Sequence, residues 1–213
     1  MNLIELLNEA LTSKMADVHI CLPAKIIDYD YTIRKATVQP ALNQKYNDGE
    51  VIEFPQIHNV PVIQPSSGGA FIHLPVKKGD NILLVFSEKS LEEWLQNGKQ
   101  TTPDDPRQNN LTDAIAITGL SPFIASGVPN NEDVIISYAG SKISIKPDSS
   151  IEAESNTINL IADNVNVSGK ITASSIEATG EIKSATALIG GKQFATHLHS
   201  GVQSGLSNTG VVV

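Results

Sequence analysis

The second half of this chain carries a repeat of apolar pairs, and this repeat limits the possible folds more than any other feature. Each pair consists of two aliphatic residues separated by one residue, and the pairs recur every five to eight residues. The pairs are Ile143 and Ile145, Ile151 and Ala153, Ile158 and Leu160, Val165 and Val167, Ile171 and Ala173, and Ile176 and Ala178. A period of two predicts short β-strands, and the Asn, Asp, Ser and Gly residues between the pairs predict turns.

Strands this short cannot enclose a core within one chain. Each offers two small apolar side chains on one face, and isolated short strands do not offset their ordering entropy. Covering layers must come from a single-chain β-solenoid or from copies of the chain. A solenoid coil needs about 20 residues or more, which would allow only about three coils. We favour an intertwined trimer with a narrow bore, because only Tyr138 and Phe194 are aromatic after residue 133.

The first part of the chain predicts a small antiparallel barrel. Strands are expected at residues 19–27, 36–42, 51–54, 60–64, 70–74 and 81–86. Asn47, Asp48 and Gly49 predict a hairpin, and the last strand is apolar on both faces, which predicts a central position. This order fits an OB-type barrel.

Two further elements are expected around the barrel. Ser90 and Glu93 have the spacing of a capping box and predict a short helix, which residues 97–110 should follow as a surface loop. Residues 2–11 predict an amphipathic helix that packs on its own domain or on a neighbouring copy. Its polar face is acidic, which argues against a membrane-surface helix.

Composition excludes several classes of protein. The 15 Lys and Arg residues against 23 Asp and Glu residues give a net charge of -8, which disfavours a nucleic-acid binder. The single cysteine, Cys21, excludes an intrachain disulfide and a Cys-rich zinc module, and we expect it to be inert. The sequence shows no membrane-spanning run and no signal peptide, so a soluble protein is expected.

The candidate metal ligands are His197 and His199, near the end of the chain. In an extended strand both imidazoles lie on one face, about 7 Å apart along the chain, with Leu198 opposite. The alternative is a structural or exposed role. In a trimer, six imidazoles would meet on the axis, and six nitrogens favour octahedral iron, cobalt or nickel over zinc. Of these three metals, iron is the most available, so we expect one iron ion per trimer.

Both ends of the chain resemble a known family. Residues 197–205, after a short-strand repeat and near the C-terminus, resemble the apex of the central spike proteins of contractile phage tail baseplates. Residues 59–62, 75–80 and 107–119 resemble the OB-fold domain of the same membrane-puncturing family. The resemblance implies a homotrimeric needle whose N-terminal domain binds the baseplate hub or tail tube. It also implies an apex in which six histidines hold iron.

The predicted fold class is all-β, with an N-terminal OB-type barrel followed by an intertwined trimeric β-helix. The expected divisions are an N-terminal helix (1–17), an OB-fold collar (18–133), a triple-stranded β-helix shaft (134–195) and a metal-binding apex (196–213). The resemblance implies a location in the virion tail baseplate or in an extracellular injection particle. The chain would be made in the host cytoplasm.

The function that these features favour is non-enzymatic piercing of the target outer membrane. A trimeric adhesin or tail fibre is the alternative, although its distal end would carry aromatic or charged receptor contacts. A metal-dependent hydrolase would need an open coordination position and further ligands, and only 14 residues follow His199. The remaining polar candidates are expected to be structural or solvated: His58, His73, Lys77, Lys78, Asp104, Asp105, Glu152 and Glu154.

Overall fold

The computed structural model describes residues 2–16, 18–46, 49–124 and 130–193. The chain divides into two compact units, residues 1–131 and residues 132–213. The first contains a helix followed by a barrel, and the second contains an antiparallel sheet followed by extended chain. Neither of the helices in the described residues is long and apolar enough to cross a bilayer.

Helix α1 spans Leu3–Ala16 and confirms the predicted N-terminal helix, with an end beyond residue 11. Its first turn is closed by reciprocal hydrogen bonds. The Glu5 N–H donates to Asn2 Oδ1 at 2.9 Å, and the Asn2 N–H donates to the Glu5 carboxylate at 2.8 Å. This capping box satisfies donors that a helix start leaves unpaired. The helix is therefore capped by its own side chains.

Nine strands follow in the described part of the first unit. They are β1 (Cys21–Asp30), β2 (Lys35–Pro40), β3 (Gln44–Lys45), β4 (Val51–Ile52), β5 (Ile57–Ile63), β6 (Ser66–Ser67), β7 (Ala70–Phe71), β8 (Asn81–Phe86) and β9 (Ala114–Thr118). Strands β1, β2, β5, β9 and β8 close a barrel in that order. Only the β5–β9 pair is parallel. The barrel agrees with the predicted OB-type architecture. Strand β8 pairs with both β1 and β9, as every strand of a closed barrel pairs with two neighbours, and only its inward residues are fully buried.

The remaining short strands form two hairpins on the barrel. Strands β3 and β4 pair on either side of the Asn-Asp-Gly turn, as expected. Gly49 there has φ +94°, a conformation in which only glycine avoids strain. Strand β7 is shorter than the predicted segment 70–74 and pairs with β6.

Alternate strand residues fill the barrel interior. In the ladders, large side chains lie beside small alanines. Leu84 is paired with Ala116, and Phe86 is paired with Ala114. The buried residues are Ala24, Ile26, Ala36, Val38, Ile57, Val60, Val62, Ile82, Leu84, Phe86, Ala114 and Ala116. Each large side chain contributes about 1.5–3 kcal/mol on full burial, so the barrel has a core of its own.

Helix α2 (Glu92–Asn97) confirms the predicted short helix, but the predicted capping box is wrong. Leu91 is the N-cap residue and no side chain caps the helix. The Glu93 carboxylate instead accepts hydrogen bonds from the Thr101 hydroxyl and from the Asp104 N–H, the latter at 3.0 Å. These bonds lower the pKa of Glu93, the Thr101 hydroxyl more than the Asp104 amide. Glu93 therefore ties the predicted loop to the helix.

A buried carboxylate holds the same loop to the barrel. Asp113 ends a 3₁₀ turn, Leu111–Asp113, and is only 3% exposed. It accepts the Leu91 N–H at 2.9 Å and the Arg107 Nε–H at 2.6 Å. Arg107 also contacts the exposed Asp105. Hydrogen bonding to Asp113 raises the pKa of the Arg107 guanidinium above its usual range, and Asp105 raises it further.

The second unit begins with a three-stranded antiparallel sheet. Its strands are β10 (Val134–Tyr138), β11 (Ser141–Ile145) and β12 (Ile151–Glu154), in that order. Ala139 and Gly140 join the first two strands with φ of +49° and +87°, as a tight two-residue hairpin turn requires. A small hairpin of β13 (Leu188–Ile189) and β14 (Lys192–Gln193) lies near the end of the described residues.

The chain between the two sheets has no regular structure. Residues 155–187 form no strand in the single chain, so the repeat strands predicted at residues 158–178 are absent from it. In an intertwined trimer, each such strand would form its backbone hydrogen bonds with strands of other chains. A single chain does not contain those partner strands. The segment's side chains are almost all exposed.

Candidate functional site: an uncovered apolar sheet face

One face of the β10–β11–β12 sheet is apolar across all three strands. Cα partners in the ladder place Val134 beside Ile145 and Ile145 beside Ile151. Two residues along, Ile136 lies beside Ile143, which lies beside Ala153. Paired residues point to the same side of a sheet. We call this set the apolar sheet face: Val134, Ile136, Tyr138, Ile143, Ile145, Ile151 and Ala153.

Within the described part of the chain, nothing covers the aliphatic residues of this face. Ile136 is 64% exposed and Ile151 is 70% exposed. Even Ile143, on the middle strand, is 46% exposed. A contiguous apolar surface of this kind marks an interaction site, because scattered single residues rather than whole sheet faces are normal on monomers.

The opposite face of the same sheet carries charged pairs. Lys142 lies 3.2 Å from Glu154, and Lys146 contacts Glu152. The hydrogen bond that Lys146 donates to Glu152 raises the pKa of Lys146. Ile135 and Ser144 lie on this face as well, and Ser144 is only 1% exposed. The two faces therefore differ in chemistry, because only the apolar sheet face combines exposed aliphatic residues with no charged side chain.

Apolar exposure continues along the extended segment. Its aliphatic side chains project from chain that has no strand partner, at Ile158, Leu160, Ile161, Val165, Val167, Ile171, Ile176 and Ile182. Leu188 and Ile189 in β13 are exposed as well. Cover is therefore missing along most of the described part of this unit.

The sequence repeat predicts only part of this site. It covers the face from Ile143 onwards and leaves out the row on β10. The signal for that row is the alternation of Val134, Ile136 and Tyr138, which has the same period of two. The structure adds these residues because β10 pairs in register with β11.

The predicted metal ligands His197 and His199 lie outside the described residues. Within the described residues, no three His, Cys, Asp or Glu side chains come together as a metal site would require. His58 is exposed and its Nδ1 lies 3.1 Å from the Thr37 hydroxyl. Cys21 is exposed on β1.

Other polar candidates lie in turns and exposed strands. The Lys77 N–H donates to Asp80 Oδ2 at 2.7 Å, within the turn that precedes β8. Asp105 is exposed beside Arg107, and hydrogen bonds from Arg107, first from its backbone N–H, lower the pKa of that carboxyl. Glu152 and Glu154 lie on the polar face of the three-stranded sheet.

The barrel unit also has an open cleft of about 350 Å³. Lys35 and His58 line one side, and Glu92 and Arg107 line the other. The guanidinium of Arg107 is already engaged by Asp113 and Asp105. The charges in the cleft largely compensate one another, so its chemistry does not select a ligand class.

The barrel is the part of the chain that comparison with protein families recognises. Residues 22–119 match the family described as Phage protein Gp138 N-terminal domain. The matched stretch is slightly less than half of the chain and contains the five barrel strands. It supports a phage protein related to tail or baseplate components, with a structural, virion-associated role. A search of curated proteins finds no match for this chain.

Proposed function

We propose that this protein is the central spike of a contractile injection apparatus, a homotrimeric needle that breaches the outer membrane of the target cell. It acts mechanically and catalyses no reaction. Contraction of a sheath supplies the work, and the spike concentrates the force on a small area. The barrel match supports the phage tail context, and the second unit supports the trimer.

The apolar sheet face carries this proposal. Three copies related by a threefold axis would turn their apolar sheet faces inward and their Lys–Glu faces outward. Each aliphatic side chain that is now about half exposed would then gain about 1 kcal/mol from further burial. Seven residues per copy contribute, so the gain is large enough to hold three chains together.

The extended segment supports the same arrangement. Its side chains have no covering layer in the single chain, and its backbone has no ladder partner. Two neighbouring copies would supply both, since each layer of an intertwined trimer contains one short strand from every chain. One strand could not then open without disturbing the strands of the other two chains, and this coupling gives the stiffness that a puncturing device needs.

The apex is proposed to contain one iron ion. His197 and His199 from three chains would supply six imidazole nitrogens, a donor set that suits an octahedral divalent transition metal. The ion would cross-link the three chain ends and prevent them from fraying. A closed shell of six ligands leaves no position for a reacting water.

The N-terminal domain is proposed to attach the needle to the baseplate hub or tail tube. It presents exposed apolar side chains on its hairpins, among them Phe71, Ile72 and Val51. Deleting residues 1–130 should therefore give particles without a spike. Incorporation of the truncated chain would reassign docking to the second unit.

The experiment that tests the function compares two particles that each carry one substitution, at neighbouring residues of the same strand. Particles built with Ile136→Asp should lack the spike and fail to permeabilise the outer membrane of target cells. Particles built with Ser137→Asp, which changes the polar face of the same strand, should behave as wild type. A purified chain that binds target cells without any particle would instead support the adhesin.

A further inference from the structure

The outer surface of the barrel has a second uncovered apolar region. Buried residues on β5, β9, β8 and β1 alternate with residues that point outward. Ladder partners place Ile63 beside Ile117, Ile117 beside Leu83, and Leu83 beside Pro23. A second row joins Ile115, Val85 and Cys21. We call these seven residues the barrel wall: Cys21, Pro23, Ile63, Leu83, Val85, Ile115 and Ile117.

Three residues of the barrel wall are exposed in the described chain, and the other four are half-buried. Ile63 is 50% exposed and Ile117 is 39% exposed, and Cys21 at the far edge is exposed as well. The half-buried residues are Pro23, Leu83, Val85 and Ile115. The outward positions of a solvated barrel are expected to be polar, and here two rows across neighbouring strands are apolar.

Helix α1 is the second uncovered apolar element of this unit. Its exposed aliphatic residues cover about half of the helix circumference at 100° per residue. They are Leu3, Ile4, Leu6, Leu7, Leu11 and Met15. Two helices that pack in a coiled coil need only a narrower apolar stripe, two residues in every seven. The broad face suits a helix that lies flat on a wide apolar surface.

The two surfaces match in size. The apolar residues of α1 extend from Leu3 to Met15, about 18 Å at about 1.5 Å per residue. Four strands spaced about 4.8 Å apart span about 14 Å between the outer two, before side chains are added. One helix laid across the strands would cover the barrel wall.

A bundle of three α1 helices fits the sequence less well. A bundle seam alternates spacings of three and four residues, along Leu3, Leu7 and Ala10 or along Ile4, Leu7 and Leu11. Continued by one step, both seams reach Lys14. Three parallel helices would bring three Lys14 ammonium groups together at the bundle axis, where burial of like charges is unfavourable. Lys14 also lies within the face that would pack on a barrel wall, but each such contact contains a single Lys14, in the last turn of the helix, where its long side chain can reach water.

The helix does not cover its own barrel. Leu7 is 54% exposed and Leu11 is 62% exposed. The helix ends at Ala16 and β1, itself part of the barrel wall, begins at Cys21. A return of the helix over its own wall would require the chain to reverse within this short connection.

We propose that α1 of each copy packs on the barrel wall of a neighbouring copy. The inference rests on the proposed trimer, in which each copy donates one helix and receives one. A head-to-tail contact of this kind closes into a ring when the copies are related by a closed rotation.

Cys21 allows a direct test, because it is the only cysteine of the chain and lies in the barrel wall. A second cysteine is introduced into the full chain at Ile4, Leu7 or Leu11, one position at a time. After oxidation, denaturing gels without reductant should show linked dimers and trimers for at least one of these variants. The matched control Glu9→Cys, on the opposite face of α1, should remain monomeric on the gel.

A second pair of variants tests the wall without a change in the helix. Ile117→Lys, in the linking background, should lower the yield of linked chains at least tenfold. Ile33→Lys replaces an exposed apolar residue outside the wall, 57% exposed against 39% for Ile117, and should leave the yield unchanged. Equal effects of the two substitutions would overturn the assignment of the wall.

The remaining outcomes distinguish the alternatives. Links that persist after Cys21→Ser would show that helices pack on helices, and loss of free thiols without linked chains would show that α1 folds onto its own barrel. Either result overturns the proposal. The mass of the unmodified protein in solution distinguishes failure of the helix exchange from failure of the proposed trimeric spike. A trimer without links refutes only the helix exchange, whereas a monomer refutes the exchange and the proposed spike together.

Discussion

Replacing Ile136 with Asp should cost little free energy in a single chain and much more in a trimer, so this substitution distinguishes the two states. In a single chain Ile136 is already 64% exposed. The substitution would remove its contact with the cross-strand partner Ile143, worth about 0.2–1 kcal/mol. In a single chain the substitution should therefore cost at most about 1 kcal/mol.

In the trimer the same substitution places three carboxylates at a dry interface. The effective penalty for burying an unpaired ion is several kcal/mol, so three such ions cost roughly 10 kcal/mol per trimer. At about 1.4 kcal/mol per factor of ten, association weakens on the order of 10⁷-fold. The variant should sediment as a monomer at pH 7.

The control is Ser137→Asp, one residue along the same strand and on the polar face. Its cross-strand partner is Lys142, so a new carboxylate there meets a cation and water. Sedimentation velocity should show that this variant remains trimeric. Lower pH should restore the Ile136→Asp trimer, because burial raises the pKa of a carboxyl above about 3.9 and its neutral form is tolerated. An Ile136→Asp trimer at pH 7, or equal dissociation of both variants, would refute the reasoning.

Three further outcomes are expected. Asp113→Ala should destabilise the barrel unit by about 2–3 kcal/mol, because the Leu91 amide and the Arg107 guanidinium lose a buried acceptor; an unchanged thermal midpoint would contradict this. The folded-state pKa of Glu93 is lowered, so the stability that it contributes is present above its unfolded value of about 4.3 and is lost as the pH falls through the folded value. Exchange of the Asp104 amide should therefore accelerate in acid, and Glu93→Gln should remove that pH dependence; identical pH profiles would exclude Glu93 as the cause. Replacing both His197 and His199 with Ala should abolish bound iron on elemental analysis and leave the chain trimeric, whereas retained iron would move the metal elsewhere.

Local patterns predicted those elements of the barrel whose partners lie nearby. The sequence Asn-Asp-Gly predicted the β3–β4 hairpin because glycine alone adopts φ +94° without strain. The apolar pattern of β8 predicted that it is not an edge strand. The same pattern also contained the outward residues Leu83 and Val85, two of the seven residues of the barrel wall, but the row became visible only when the ladders aligned four strands.

Contacts between residues distant in sequence account for what the sequence did not predict. Ser90 and Glu93 had the spacing of a capping box, yet Asp113 takes the Leu91 amide and the loop takes the Glu93 carboxylate. These partners depend on how the chain returns to the barrel. The predicted repeat strands also depend on contacts that are not local in sequence. An apolar pair such as Val165 and Val167 indicates that these side chains need to be covered, but it does not specify which chain covers them.

Native mass spectrometry of the intact chain tests the central claim most directly, since one spectrum gives both the number of chains and the bound metal. We expect a species of three times the 22.7 kDa chain mass with one additional iron ion. A folded single chain under the same conditions would contradict the spike, and a trimer with three metal ions would contradict the closed six-histidine apex.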